Sequence, residues 1–233
     1  MISINSWNTF IDKFITQKGY LLTLEGLKNT VIIAVLGLII GFIIGSIITI
    51  VKLIPSKKGF AKFIRILCDG YIVALRGTPL LVQLLLCHFA LFPAIGLNIS
   101  YIAEAIIVYG LNSSAYMSEA IRSGINAIDK GQEEAGRALG LSFTQTMLKI
   151  VLPQAIRNII PTLGNEFIAL IKETSVANLI AVMDLTKSLV SIAESTYDYF
   201  IPYIILALIY LIIVLFITLL IKWSERRVSS IAK

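Results

Sequence analysis

Gly131-Gln132-Glu133-Glu134-Ala135-Gly136-Arg137-Ala138-Leu139-Gly140-Leu141-Ser142-Phe143-Thr144-Gln145 is a polar, small-residue stretch inside a strongly apolar chain, closed by Ile150-Val151-Leu152-Pro153. It predicts two short helices. The first covers 131–139, and Gly140 supplies the left-handed residue that helix ends favour. Ser142 opens the second as N-cap, with Gln145 three residues on completing a capping box. That helix should run through Ile150 and stop near Pro153. The result is a compact elbow with small residues on one face, shaped to enter a groove on a partner.

Outward from the elbow, the chain alternates long apolar runs with short charged ones. Asn29 to Val51 is uncharged and long enough for a bilayer core of about 30 Å. Gly37, Gly41 and Gly45, at every fourth position, predict a groove along one face for close helix packing. A second span approaches through Phe60, Phe63, Ile64, Leu67, Tyr71 and Ala74, and Leu80 to Ala94 carries it on. Between them Arg76-Gly77-Thr78-Pro79 predicts a kink or break, because proline removes a backbone donor. A third span covers Tyr101 to Ile121, broken in character at Gly110 to Ser114; a fourth covers Ile159 to Met183; a fifth covers Tyr199 to Ile221. The fold class is an all-α membrane protein of five transmembrane helices. Residues 1–28 form an amphipathic segment, with Trp7, Phe10, Ile11, Phe14 and Ile15 at helical spacing, that either lies at the membrane interface or packs on the bundle. It has none of the layout of a cleavable signal peptide. Residues 29–223 form the spanning unit, with a loop at about 122–157, and 224–233 form a tail.

Five spans divide the basic residues unevenly. Lys52, Lys57, Lys58, Lys62, Arg65, Arg122, Lys130, Arg137, Lys149, Arg157, Lys222, Arg226, Arg227 and Lys233 fall on one side, against Lys13, Lys18, Lys28 and Lys187 on the other. The positive-inside rule makes the first side cytoplasmic, with the N-terminus outside. The same alternation explains the net charge of +6 without nucleic acid. Overall the chain is 57% hydrophobic and 15% charged, with a mean hydropathy of +0.87, well removed from soluble averages. Cys68 and Cys87, taken along one helix, stand too far apart to bridge. His88 has no histidine or carboxylate one turn away, so packing or a headgroup is expected rather than a metal.

The elbow resembles the cytoplasmic loop of permeases from ATP-binding-cassette importers, whose pattern is E-A-A, three residues, G, nine residues, I-x-L-P. Glu134-Ala135-Gly136, Gly140 and Ile150-Val151-Leu152-Pro153 match it, with Gly136 where a second alanine is usual. Arg76-Gly77-Thr78-Pro79-Leu80-Leu81-Val82-Gln83 looks like the signature of the polar amino-acid (histidine/arginine/glutamine-type) branch. Tyr116 to Ile125, Leu152-Pro153-Gln154-Ala155 and Lys172-Glu173-Thr174-Ser175 also fit. The resemblance implies a type I importer permease in a bacterial plasma or inner membrane, multi-pass. It implies a second permease subunit, identical or related, two cytoplasmic ATPases and an external solute-binding protein. Glu134, Ala135, Gly136, Ala138, Leu139, Gly140 and Leu141 would form the coupling helix. No cofactor is expected in this chain; ATP and magnesium would sit on the ATPase, and no phosphate-binding G-x-x-x-x-G-K-[ST] loop occurs here.

Ionisable residues within spans mark a pathway or a buried pair. Asn112, Tyr116 and Glu119 share one face, with Ser113 beside them, and predict a solute-lining stripe; alternatively Glu119 pairs with Arg122. Lys172 and Glu173 line the route, gate it, or form a structural pair. Glu104, Glu194 and Asp198, toward the outer face, either attract a cationic side chain or are solvated loop carboxylates. A secondary transporter or channel is the main rival, but no inverted repeat is visible and neither needs the elbow. An enzyme would need a nucleophile, base and orienting group together, and no such set recurs, with one histidine in the whole chain. Methionine or an oligopeptide would be alternative solutes within the importer class.

Overall fold

A computed structural model describes residues 4–54 and 59–230, all helical, with no strand among them. The calls that fall on residues 1–3, Lys57, Lys58 and 231–233 lie outside the described residues. The helices are α1 (Ile4–Ile11), α2 (Gly19–Leu53), α3 (Gly59–Gly77), α4 (Leu80–Ala94), α5 (Tyr101–Asn126), α6 (Lys130–Ala138), α7 (Phe143–Thr146), α8 (Leu152–Glu173), α9 (Leu185–Thr196) and α10 (Phe200–Ser230).

Two of these, α2 and α10, are long and apolar enough to cross a membrane alone. The pair α3 and α4, bent by 104°, and the pair Phe143–Ile180 with α9, bent by 52°, raise the number to as many as four. α5 has the length, at 26 residues, but carries its polar groups inward: Asn112, Ser113, Ser114 and Ser118 are all buried. A fifth span is therefore not given by length and hydropathy alone.

The centre of the bundle is α2 packed along α5. The expected glycine groove is the reason. A methyl added at Gly37 would stand 3.3 Å from Tyr109 Cβ, at Gly41 2.7 Å from Ser113 Oγ, and at Gly45 2.7 Å from Met117 Cβ and 2.8 Å from Ser114 O. Small residues let backbones meet where lipid offers no hydrophobic drive for helix association. Gly110 answers from α5, with Ile40 filling the place of its missing side chain. The predicted break at Gly110 to Ser114 does not occur. α5 is continuous there, because glycine and hydroxyl residues serve close packing rather than a turn.

The break at Pro79 is present. Carbonyls freed at the end of α3 are taken up by one side chain: Gln83 Nε2 donates to Leu75 O at 2.8 Å, to Thr78 O at 3.1 Å and to Thr78 Oγ1 at 2.8 Å. Asn112 Nδ2 completes the arrangement from α5, donating to Gln83 Oε1 at 2.9 Å and to Leu75 O at 3.3 Å. Cys68 and Cys87 are both free and lie on either side of this bend, so the picture of one helix carrying both is corrected.

The fourth span also differs from expectation. The second elbow helix does not stop at Pro153; α7 passes through a π-turn at Met147–Val151 straight into α8, and the π-turn lies directly before Pro153, which has no N–H to give to the ladder. After α8 the chain tightens into a 3₁₀ segment, Thr174–Ile180, turns at Ala181 with φ of +62°, and enters α9, where an outer loop is expected from the sequence. α9 is apolar on one face only: Leu185, Leu189, Ile192 and Ala193 are buried. Asp184 caps it, accepting from Lys187 N at 2.8 Å and Thr186 N at 3.1 Å. Two polar side chains of α2 hold this corner. Asn29 Nδ2 donates to Met183 O at 2.8 Å, and Thr30 Oγ1 accepts from Leu185 N at 3.1 Å.

α1 packs on the bundle. Phe10 is buried in a cluster with Leu185, Leu189, Ile192, Ile201 and Leu206, while Trp7 and Ile11, and Ile15 in the π-helical turn Asp12–Thr16 that follows, stay exposed.

Candidate functional site

Two features stand out, joined by the same helices. The first is the elbow. α6 is capped at its start by Asp129, whose Oδ1 accepts from Gly131 N at 2.8 Å. It ends in a Schellman motif: Leu141 N donates to Gly136 O at 3.1 Å and Gly140 N to Arg137 O at 2.9 Å, with Gly140 at φ of +79°. Ser142 and Gln145 then form the expected capping box, at 2.9 and 3.2 Å. Every end is tied, so α6 and α7 form a stiff unit although both are short.

Gly136 faces the inside of this elbow rather than a partner. It is buried against α7, where an added methyl would stand 2.7 Å from Thr146 Cγ2. The departure from alanine at this position is thus matched to a bulky neighbour. The outer surface presents Glu134, Ala135, Arg137, Ala138, Leu139 and Gly140, all exposed, with Leu139 80% accessible. Leu141 is half-buried.

The second feature is a cavity of about 390 Å³ lined by Arg76, Tyr116, Met117, Glu119, Ala120, Arg122, Ser123, Thr162 and Glu166. Its volume falls within the range of about 300–1,000 Å³ typical of small-molecule sites. α5 supplies one wall and α8 the other. Arg76 enters from the end of α3, its guanidinium 5.3 Å from the centre of the Tyr116 ring, a cation–π arrangement. Arg122 grips Glu119 with two bonds, Nη2 to Oε2 at 2.6 Å and Nε to Oε1 at 3.2 Å. Glu119 thus lines the cavity and is also the partner of Arg122. On the opposite wall Glu166 Oε1 accepts from Ser113 Oγ at 3.1 Å.

Several expected pathway residues take other places. Asn112 is 4% exposed and its amide is engaged by the α3–α4 break, so it acts as a strut behind the cavity. Lys172 and Glu173 are exposed at the far end of α8, outside the cavity lining. Asp198 caps α10, its Oδ1 accepting from Phe200 N at 3.1 Å. The remaining outer acids are also occupied. Glu104 is buried and meets His88 Nδ1 at 2.5 Å, and Glu194 lies 3.8 Å from Lys187. His88 therefore has a carboxylate partner after all, sixteen residues away on α5, which spacing along one helix does not show. No cluster suited to a metal ion exists among the described residues.

Glu166 is the residue the sequence reading missed. An isolated carboxylate between Asn165 and Phe167, inside the fourth expected span, carried the same signal as Glu119.

Comparison with known proteins gives a consistent result. The family described as "Binding-protein-dependent transport system inner membrane component" matches residues 37–230. The arginine transport system permease protein ArtQ of Bacillus subtilis (strain 168) is 42% identical over 207 residues, 89% of this chain and 92% of that relative. The putative glutamine transport system permease protein GlnP of Rickettsia bellii (strain RML369-C) is 39% identical, over 89% of this chain and 93% of its own length. A chain from the crystal structure of an amino acid ABC transporter with histidines superposes with a TM-score of 0.83 at 40% identity, covering 93% of this chain and 98% of that one. The inward-facing MetNI methionine ABC transporter, at a TM-score of 0.74 and 18% identity over 90% of this chain and 97% of its own, shares the fold.

Proposed function

The chain belongs to the family of binding-protein-dependent transport system inner membrane components, and from that premise we propose that it is the permease subunit of an ATP-binding-cassette importer, carrying a polar L-amino acid into the cytoplasm. In this reading five segments span a bacterial plasma or inner membrane, with α1 at the outer interface and the elbow and the end of α10 in the cytoplasm. ATP and magnesium are handled by two partner ATPases, and an external binding protein delivers the solute. Glu134 to Leu141 docks on the ATPase, and the cavity between α5 and α8 is part of the route.

The observation that carries the proposal is the continuity between elbow and cavity. α5, which holds Tyr116 and Glu119, leads into α6 after three residues; α7 runs without interruption into α8, which holds Thr162 and Glu166. At the base the two arms are pressed together, since an added methyl at Gly124 would stand 2.5 Å from Ile159 Cγ1. A push on the elbow by ATPase closure therefore moves both cavity walls as levers, the kind of rigid-body step that alternating access needs. A second permease subunit is supported by the free face of α8. Asn158, Thr162, Asn165 and Lys172 recur there at helical spacing and are exposed. Such a stripe is costly against lipid, so a polar route shared with a second subunit suits it better.

Reconstitution tests this. Vesicles holding the permease with its ATPases, supplied with binding protein outside and ATP inside, should accumulate a radiolabelled polar amino acid. Uptake that proceeds without ATP, or a chain that co-purifies with no ATPase, would refute the assignment.

A further inference from the structure

A second polar cavity, of about 300 Å³, opens at the opposite end of the bundle from the elbow. Lys13, Gln17 and Lys18 line it from the turn before α2, Leu22 from α2 itself, and Ser191 and Ser195 from α9. The turn is folded down tightly. A methyl added at Gly19 would stand 2.8 Å from Lys13 O and 3.2 Å from Ile192 Cδ1. Lys18 reverses the chain with φ of +58°, uncommon for a residue other than glycine, and so stands with Lys13 at one opening.

Lys13 and Lys18 are the only ionisable residues in the lining. The acids around it are engaged elsewhere. Asp12 Oδ2 accepts from Gln17 Nε2 at 2.9 Å, Glu194 lies 3.8 Å from Lys187, and Asp198 Oδ1 accepts from Phe200 N. Glu25 stands two turns further along α2 and is followed by Lys28 at i+3. The polar neutral groups present acceptors. Ser191 Oγ and Ser195 Oγ give their protons to Lys187 O and Ile192 O, each at 2.8 Å, and Gln17 has spent an amide proton on Asp12. Two ammonium groups therefore meet a set of oxygen acceptors, which suits a phosphate carrying a hydroxylated substituent.

Depth identifies the source of such a group. Ser195 lies one residue before the end of α9, and α10, the plainest apolar span, begins at Phe200. Phe10, three residues before Lys13, packs with Ile201 in the first turn of α10. The cavity thus sits where the apolar span ends. Trp7, Tyr20, Tyr199 and Tyr203 are exposed at this same end, as aromatic rings are at a membrane–water interface, and Leu21 and Leu24 offer an open apolar face along α2. We propose that the cavity binds the headgroup of a phosphatidylglycerol-type anionic lipid, its phosphate between Lys13 and Lys18 and its glycerol hydroxyls toward Ser191, Ser195 and Gln17. The proposal rests on the reading that places α1 at the outer membrane face.

Photo-cross-linking tests it. The permease–ATPase complex is placed in phosphatidylcholine vesicles with a trace of photoactivatable phosphatidylglycerol, phosphatidylethanolamine or phosphatidylcholine, and cross-links on residues 12–22 and 185–196 are counted by peptide mass spectrometry. Phosphatidylglycerol should label these segments about tenfold above the two neutral lipids, since each lysine near an anionic headgroup contributes about fivefold. Lys13→Gln with Lys18→Asn should lower that labelling to the neutral-lipid level while labelling of α3 beside Lys62 and Arg65 is unchanged; asparagine tolerates the left-handed backbone at 18. Lys13→Arg with Lys18→Arg should keep the parent labelling. Glycerol phosphate in large excess should fail to compete; full competition would make this a site for soluble phosphates and overturn the lipid assignment. Equal labelling by the three lipids, or a Gln/Asn variant that labels as the parent does, also overturns it. A Gln/Asn variant that keeps its lipid but loses affinity for the binding protein gives the cavity to protein docking instead, against the proposal. ATP-driven uptake is read separately: a complex that labels as expected but does not transport refutes the functional reading and leaves the lipid site standing.

Discussion

The interior of the elbow offers the sharpest quantitative test. Gly136→Ala should gain about 1 kcal/mol from helix propensity alone. The structure opposes that gain. The new methyl would stand 2.7 Å from Thr146 Cγ2, 2.9 Å from Thr146 Oγ1 and 3.1 Å from Ile150 Cδ1. Thr146 is fully buried, and a β-branched side chain has little freedom to turn away. Overpacking of this kind costs about 1–3 kcal/mol, so the single variant should be destabilised by roughly 0–2 kcal/mol net. Thr146→Ala removes the obstructing methyl together with a buried hydroxyl that has no hydrogen-bond partner. Losing the methyl costs about 1 kcal/mol, and losing an unsatisfied hydroxyl returns about 1–3 kcal/mol. In the double variant the alanine at 136 fills the space vacated at 146, and the two changes should couple favourably by about 1–2 kcal/mol. Unfolding of the detergent-purified protein can be followed through labelling of Cys68 and Cys87, both free and half-buried. If Gly136→Ala alone is more stable than the parent by the about 1 kcal/mol of helix propensity, or if the double variant is additive within about 0.5 kcal/mol, Thr146 is not the wall described here.

The glycine groove predicts a gradient. Gly45→Ala meets backbone of α5 at 2.8 and 2.9 Å and should destabilise severely, by more than about 2 kcal/mol, whereas Gly37→Ala, at 3.3 Å from a Cβ, should be tolerated better; thermal stability of the two measured side by side decides it. Gln83→Leu strands the carbonyl of Thr78 and leaves Leu75 O and the Asn112 amide with only their mutual 3.3 Å bond, and should cost about 1–3 kcal/mol, read as a shorter half-life at fixed temperature. Leu139→Asp leaves the fold intact, since this side chain is 80% exposed, but should abolish co-purification of the ATPases; retained binding would move the docking face elsewhere.

Much of the architecture was legible because it depends on local rules. The elbow's caps at Gly140, Ser142 and Gln145 follow from backbone chemistry within a few residues. The stop at Pro79 follows from a missing amide, and the Gly37-Gly41-Gly45 groove from period alone. α9 was not legible. It is short, carries Lys187 and Glu194 on its open side, and is held by Asn29 and Thr30, which lie more than 150 residues away. The same limit applies to the polar residues of α5. Periodicity placed Asn112, Tyr116 and Glu119 on one face, but not at one depth: Asn112 stands behind the α3–α4 break, while Tyr116 and Glu119 open onto the cavity.

The sequence by itself determined that this is a helical membrane chain and where the elbow at Glu134 to Gln145 is capped, whereas several helices run well past the expected spans, α2 starting at Gly19 and α10 continuing to Ser230. Those properties are set by hydropathy, spacing and capping, all of which act over one or two turns. Tertiary structure alone decided which polar and charged groups meet. Lys52 with Asp69, His88 with Glu104 and Ser113 with Glu166 join residues from different helices. Ion pairing depends on distance in space, and a chain folded into antiparallel rods brings together groups that no local pattern relates.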